Sequence, residues 1–177
     1  MPQSSDEHWA PDHVLLARRP LTYAGQLLVL REHDGRPIEY APLAGMAAVE
    51  ARYPVWALGP FGYVEPERDL PRTPAVFALL QSGVVRYVGA TRDVARTFSS
   101  RRGLGTISRR DCQLSRREEH CRLNRLVVAE ARAGRTVDLY LMGVGKRGPA
   151  SARGLEQAEQ IAAEIRESVT GSWHLPR

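Results

Sequence analysis

The chain has 177 residues, of which 43% are hydrophobic and 25% are charged. These are ordinary values for a folded domain, so the composition excludes a wholly disordered chain, a collagen-like repeat and a coiled-coil array. No apolar run reaches the roughly 18 residues that span a bilayer, and the N-terminus lacks the basic and apolar regions of a signal peptide. We therefore expect a cytoplasmic protein that does not enter a membrane, with one main domain and an appendage.

Positive charge is concentrated in the middle of the chain. The net charge is +5, yet residues 86–125 alone hold eleven arginines against four carboxylates. Guanidinium groups pair with phosphate oxygens through two parallel hydrogen bonds, so such a cluster is typical of a polyanion binder. The clustering predicts nucleic acid, with DNA favoured, as the partner; the alternative is a solvated face. The arginines assigned to nucleic-acid binding are Arg92, Arg102, Arg109, Arg110, Arg116 and Arg117.

Two cysteines, Cys112 and Cys121, are too few for a disulfide framework, and we interpret them as reduced thiols. A zinc site built from Cys112, His120 and Cys121 would lack a fourth ligand at any familiar spacing. The sequence therefore favours the absence of a structural metal.

The first 73 residues contain only short predicted elements. Asp34-Gly35 is the signal of a tight hairpin, and a proline-rich stretch later breaks any long element. We expect a β-rich extension over residues 1–73 that adds strands to a sheet, covers its edge or forms a homodimer contact. The predicted elements are, in order, strands at 13–17 and 26–31 with a turn at 20–25, a hairpin leading into 37–41, a helix at 44–53 and an extended connector at 54–74.

The remaining residues follow a clearer pattern. Two apolar runs at 75–81 and 84–89 are joined by Ser82-Gly83, which is the spacing of a two-residue hairpin turn. Ser115 and Glu118 form an S-x-x-E capping box that predicts the start of a helix. The predicted elements after the hairpin are a helix at 91–98 capped by Thr91, an arginine-rich loop at 99–114, a helix at 115–133 stopped by Gly134, a strand at 137–144, a basic loop at 143–154 and a helix at 155–169.

This element order predicts an α/β (α+β) domain over residues 74–177, in which a small central sheet with a β-hairpin is flanked by helices. Residues 74–173 resemble the GIY-YIG nuclease superfamily. The run Tyr87-Val88-Gly89-Ala90-Thr91 is similar to the second family motif, and Pro74-Ala75-Val76-Phe77 stands where the first motif is expected. The resemblance implies a GIY-YIG-like fold and a magnesium-dependent endonuclease, a hydrolase that cleaves DNA phosphodiester bonds.

The resemblance also implies catalytic positions. Tyr87 matches the second tyrosine of the family, whereas Phe77 occupies the first tyrosine position without its hydroxyl. Thr97 stands where the family has a helix arginine, with Arg96 one place earlier, and Arg101 replaces a frequent histidine. The catalytic set that the resemblance implies is Tyr87, Arg96, Arg101 and the Phe77 position.

A metal-binding glutamate is implied on the last helix. Glu156 belongs to the Leu155-Glu156 pair that resembles the family, but on a helical wheel it points away from the apolar face. Glu159 lies at the rim of that face, so helix geometry favours it instead. Both residues stay open as ligands of Mg²⁺, as does the interpretation of two solvated glutamates.

Three functions remain open at this point. The first is the metal-dependent endonuclease that the resemblance implies. The second is a catalytically inactive nucleic-acid-binding module, which the missing Phe77 hydroxyl and the missing helix arginine favour. The third is a fold reused for small-molecule chemistry, with His174, Tyr87 or Cys112 as participants.

Overall fold

The computed structural model of the chain describes residues 8–145, 152–169 and 171–174, and it shows a mixed α+β fold. Three short 3₁₀ helices (Val55–Ala57, Asp111–Gln113 and Ser115–Arg117) accompany the main elements. The strands are β1 (His13–Leu16), β2 (Arg19–Val29), β3 (Glu39–Tyr40), β4 (Phe61–Gly62), β5 (Val64–Pro66), β6 (Ala75–Gln81), β7 (Val84–Thr91) and β8 (Val137–Gly143), and the α-helices are α1 (Val49–Arg52), α2 (Val94–Thr97), α3 (Glu118–Arg132) and α4 (Ala152–Ser168).

The main sheet is antiparallel and has β6 near its centre. Its order is β1-β2-β8-β6-β7, with β5 added beside β2. Strand β2 pairs with β8 in a register that places Tyr23 opposite Tyr140. Strands on both sides of the predicted boundary at residue 74 therefore share one sheet.

Helices α3 and α4 cover opposite faces of this sheet. Phe77 and Leu79 point toward the cluster that contains α3, whereas Val76, Ala78 and Leu80 point toward the cluster that contains α4. Because β6 is covered on both faces, all seven of its residues are buried, which explains its uninterrupted apolar sequence.

The predicted hairpin at residues 75–89 is confirmed. Strands β6 and β7 pair along their whole length, and Ser82 and Gly83 form the turn with φ angles of 49° and 75°. Two consecutive left-handed residues match the twist of the flanking strands, as in a type I′ turn. The prediction of a mixed α and β fold is likewise confirmed at this coarse level.

The predicted turn at residues 20–25 is wrong, because these residues lie inside β2. The chain reverses instead at Ala17 and Arg18, which have φ angles of 51° and 63°. Neither residue favours a left-handed backbone, so the composition gave no sign of the turn. Gly25 instead sits where the pairing of β2 with β8 shifts register, with a φ angle of 100°.

The helix boundaries also differ from the prediction. Ser115 does not cap α3, because Ser115–Arg117 forms a 3₁₀ helix and α3 begins at Glu118 without a side-chain cap. Asp93, rather than Thr91, caps α2 by accepting a hydrogen bond from the Arg96 amide at 3.0 Å.

Helix α1 spans only four residues of the predicted ten-residue stretch, and α4 begins at Ala152 inside the predicted basic loop. Residues 146–151 of that loop lie outside the described residues.

No α-helix in the described ranges is both long enough and apolar enough to cross a membrane.

A third, smaller core lies beside α3. It contains the buried residues Cys112 and Cys121, which are free thiols, together with Phe61 and Ile107. His120 lies next to this core, and its Nδ1 atom is buried with no hydrogen-bond partner among the described residues. Desolvation, assisted by the nearby Arg117, lowers the pKa of His120 to about 4, against a weaker opposing effect of Asp111.

This histidine predicts a pH dependence of stability. The unfolded chain binds a proton at His120 near pH 6.5 and the folded chain only near pH 4. Stability that is present above about pH 6.5 is therefore lost as the pH falls toward 4, by roughly 2 to 3 kcal/mol from this group. We expect the melting temperature to fall less between pH 7 and pH 4.5 in His120→Gln than in the wild type. His33→Gln, in an exposed turn, is the control, and equal losses in both variants would refute the assignment.

Candidate functional site

The hairpin brings the two motif positions Phe77 and Tyr87 together. Phe77 pairs with Gly89 and Leu79 pairs with Tyr87, so the two aromatic rings lie diagonally on one face and stack with centroids 5.8 Å apart. A Cβ at Gly89 would meet the Phe77 ring at 2.6 Å, so glycine is needed for this close packing. Phe77 is completely buried and Tyr87 is 7% exposed. Phe77 therefore acts as a core residue.

The Tyr87 hydroxyl faces charged groups on both neighbouring helices. Burial raises the pKa of Tyr87, and the charge of the Glu119 carboxylate, which interacts with the hydroxyl, raises it further. Arg166 and Arg122 lie close enough to oppose this effect. Desolvation also raises the pKa of Glu119, although the residue as a whole is exposed. The phenol and the carboxyl group are thus electrostatically coupled, with Arg122 and Arg166 acting on both of them.

The segment Gly171–His174 runs along the free edge of β7. The Trp173 amide donates to the Arg86 carbonyl at 2.9 Å, and the Val88 amide donates to His174 Nε2 at 3.0 Å. The His174 ring stacks on Tyr87 with centroids 4.5 Å apart. Desolvation, together with Arg166 and Arg122, lowers the pKa of His174, so its imidazole is neutral and carries its proton on Nδ1. Tyr87 is therefore covered by the C-terminal segment.

Two arginines hold this arrangement in place. Arg166 on α4 donates from Nη1 to the Val88 carbonyl at 3.1 Å, and Arg122 on α3 donates from Nη2 to the Trp173 carbonyl at 2.9 Å. We call Tyr87, Glu119, Arg122, Arg166 and His174 the Tyr87 cluster. Of these, only Tyr87 was assigned a catalytic role from the sequence, and His174 was named as an alternative participant.

Sequence reasoning missed Glu119 for a physical reason. A glutamate in the first turn of a helix stabilises the helix dipole, so its identity alone indicates nothing more. Its proximity to Tyr87 depends on where α3 crosses the sheet. Local patterns carry no information about that crossing.

The predicted catalytic arginines lie elsewhere. Arg96 is exposed on α2 and lines a surface depression of about 300 Å³ with Arg72 and Arg102. Arg101 is exposed on the loop that follows. The charged groups that act most strongly on the Tyr87 hydroxyl are those of the Tyr87 cluster, and they include neither Arg96 nor Arg101.

Most of the arginines assigned to nucleic-acid binding reach solvent. Arg109 donates to the Pro42 carbonyl at 3.2 Å but stays exposed. Arg117 differs, because it forms an ion pair with Asp111 at 2.9 Å and its side chain is only 21% exposed. We call residues 92–117 the arginine segment. Its exposed arginines are Arg92, Arg96, Arg101, Arg102, Arg109, Arg110 and Arg116.

The arginine segment is folded against the rest of the protein. The Leu104 amide donates to the Thr97 carbonyl at 2.8 Å, and the Val64 amide donates to the Gly105 carbonyl at 3.0 Å. Leu104 itself is completely buried, and the buried Asn124 side chain donates to its carbonyl at 2.7 Å. The backbone positions that carry the exposed arginines are therefore fixed by packing and hydrogen bonds.

The two alternative magnesium ligands lie on the exposed side of α4. Glu156 and Glu159 are both exposed on α4. Glu159 is near enough to Glu119 to raise its pKa, so the two carboxylates face the same region. Within residues 8–145, 152–169 and 171–174, no group of three or more His, Cys, Asp or Glu side chains is arranged to hold a metal ion. A role of Glu156 or Glu159 in binding magnesium therefore stays a prediction from the resemblance.

Comparisons of the chain with protein-family models, curated proteins and solved structures found no match. The GIY-YIG resemblance therefore remains a prediction from the sequence.

Proposed function

We propose that the protein is a nucleic-acid-binding module that contacts the phosphate backbone through the arginine segment. The observation that carries this proposal is the set of seven exposed arginines on one folded segment. Arginine keeps its charge at all physiological pH values and presents several donors to a phosphate, so these side chains suit a DNA or RNA backbone. The depression lined by Arg72, Arg96 and Arg102 provides one place where several cations converge.

Three observations support binding over cleavage. Phe77 supplies no hydroxyl and is completely buried. Tyr87 lies under the His174 ring, and the charged groups that act on its hydroxyl include none of the exposed arginines of the arginine segment. Efficient phosphoryl transfer needs charged groups placed in advance around the reacting phosphate. The exposed arginines therefore support contact with a phosphate backbone better than they support catalysis.

We expect the double variant Arg96→Ala, Arg102→Ala to bind labelled DNA duplexes more weakly than the wild type does, by a similar factor whatever the base sequence of the duplex. The slope of log K against log salt concentration is negative, and each lost phosphate contact reduces its magnitude by about 0.9, so the dependence should become shallower by about 2. Fluorescence anisotropy at several salt concentrations measures both quantities. Arg36→Ala, Arg52→Ala is the matched control, because both arginines are exposed outside the arginine segment. Equal binding by the two double variants would place the interface elsewhere.

A second candidate is the endonuclease that the resemblance implies. It is favoured by one observation, the charged groups of Glu119, Arg122 and Arg166 that act on the Tyr87 hydroxyl. Incubating supercoiled plasmid with the protein and magnesium distinguishes the two functions. Nicking by the wild type that is absent in both Tyr87→Phe and Glu156→Ala, Glu159→Ala would change the assignment from binding to cleavage.

A further inference from the structure

A cleft of about 490 Å³ lies outside the arginine segment, between the 3₁₀ helix Val55–Ala57, the outer face of α3 and residues 172–174. Its volume falls within the range of small-molecule sites, and its walls combine apolar surface with a few charged groups. We call it the tryptophan cleft. The side chains that matter below are Trp56, Trp173, Arg122, Arg125, Leu126 and Ala129.

The α3 wall of the cleft is charged at one end and apolar at the other. Arg122, Arg125, Leu126 and Ala129 are spaced by three, four and seven residues, so they form one stripe along the helix. The charged residues come first, and the apolar ones follow toward the C-terminal end. From Arg122 to Ala129 the helix rises roughly 10 Å, which is the length of a small aromatic acid.

Both guanidinium groups are held in position by the walls they line. Arg122 donates from Nη2 to the Trp173 carbonyl at 2.9 Å, and Arg125 donates from Nη1 to the Val55 carbonyl at 3.3 Å. A guanidinium group has five N–H donors, so each arginine keeps others for a ligand. Glu118 also lines the cleft, one helical turn before Arg122, but neither arginine has a carboxylate oxygen of a described residue within 4.0 Å. The two cations outnumber this one carboxylate on the α3 wall. An anion could therefore be bound by groups that are already oriented.

We propose that the tryptophan cleft binds a small organic acid with one aromatic ring system and one carboxylate. The carboxylate pairs with Arg122 and Arg125, where a charge-assisted hydrogen bond is strongest. The ring system lies against Trp56 and the apolar end of the stripe, because aromatic rings favour offset or edge contacts with one another. Trp173 also lines the cleft but is only 7% exposed, so it offers the ring little surface. A nucleic-acid strand fits this cleft less well, since its regularly spaced phosphates would meet no cation beside Leu126 and Ala129.

The test uses naphthylacetate and its neutral amide, naphthylacetamide, as matched probes in isothermal titration calorimetry. We expect the acid to bind the wild type at least about tenfold more tightly than the amide, because only the acid forms charged hydrogen bonds. Arg125→Gln should weaken the acid about tenfold and leave the amide nearly unchanged. Ala129→Trp, which fills the apolar end, should abolish the binding of both.

Arg132→Gln is the control on the same helix, because Arg132 is paired with Glu39 at 2.7 Å and does not line the cleft. It should bind both probes as the wild type does.

The proposal is overturned if the wild type binds neither probe, if it binds acid and amide equally, or if Arg132→Gln weakens binding of the acid as much as Arg125→Gln does. Binding of a dinucleotide, but not of the acid, that Ala129→Trp abolishes would also overturn it and would assign the cleft to the nucleic-acid surface. The comparison of the two probes on the wild type decides the matter even if a variant does not fold.

Discussion

Replacing Asn124 with alanine is expected to lower the free energy of unfolding by about 4 kcal/mol. Asn124 is completely buried, and its amide oxygen accepts a hydrogen bond from the Gly62 amide at 3.0 Å. Its Nδ2 atom donates to the carbonyls of Gly62 at 2.8 Å and Leu104 at 2.7 Å. The alanine variant leaves three buried backbone groups without a partner, and each such group costs about 1 to 3 kcal/mol.

Urea denaturation of two further variants separates this explanation from a loss of packing. Asn124→Asp keeps the acceptor but places carboxylate oxygens against two carbonyl oxygens, so we expect it to be at least as unstable as Asn124→Ala. Gln113→Ala is the control, because Gln113 is exposed and, among the described residues, its amide hydrogen-bonds to the Tyr53 hydroxyl alone, at 3.4 Å. A loss below about 1 kcal/mol in Asn124→Ala would show that this side chain does not hold the arginine segment to α3.

Gly103→Ala is expected to destabilise the protein by about 3 kcal/mol and to weaken DNA binding at the same time. A Cβ at this position would overlap the backbone carbonyl oxygens of Arg96 and Thr97. Backbone atoms cannot rotate out of the way, so the loop has to move away from α2. That movement breaks the hydrogen bond from the Gly103 amide to the Ser99 carbonyl, at 3.2 Å, and displaces the neighbouring arginines.

Gly143→Ala provides the matched glycine control. Gly143 ends β8, a Cβ added to it would have no other atom within 4 Å, and its φ angle is not left-handed. We expect its effect on unfolding to stay within about 0.5 kcal/mol and its DNA affinity to be unchanged. If Gly103→Ala were as stable as Gly143→Ala and bound DNA equally well, the arginine segment would not be held by the contacts described above.

Elements with a strong local pattern could be predicted from the sequence. The β6–β7 hairpin was predicted because two β-rich runs flank Ser82-Gly83, and both turn residues adopt left-handed conformations. Gly134 was predicted to end α3, and the helix does end beside it, with a φ angle of 76° at the glycine. These features depend on the conformational preferences of a few adjacent residues. Tertiary contacts did not have to override them.

Other elements could not be predicted locally. Ala17 and Arg18 form a turn that their side chains do not favour, because pairing of β1 with β2 outweighs the local preference. The Ser115 capping box failed because the chain first forms a 3₁₀ helix, in which Arg117 bonds to Asp111 and to the carbonyls of Arg102 and Gly103. In both places hydrogen bonds to residues beyond the immediate neighbours, strand pairing in one and bonds to the preceding loop in the other, determine the backbone conformation.

The sequence alone determined the mixed α+β class, the central hairpin and the concentration of arginine between residues 86 and 125, because each depends on composition or on short-range spacing. Only the tertiary structure decided which charged groups meet. It placed Glu119, Arg122, Arg166 and His174 around Tyr87, and it left Arg96 and Arg101 exposed and outside that set. The physical reason is that the Tyr87 cluster is assembled from two helices, a strand and a terminal segment far apart in the chain. Their relative positions follow from the packing of α3 and α4 on opposite faces of the sheet.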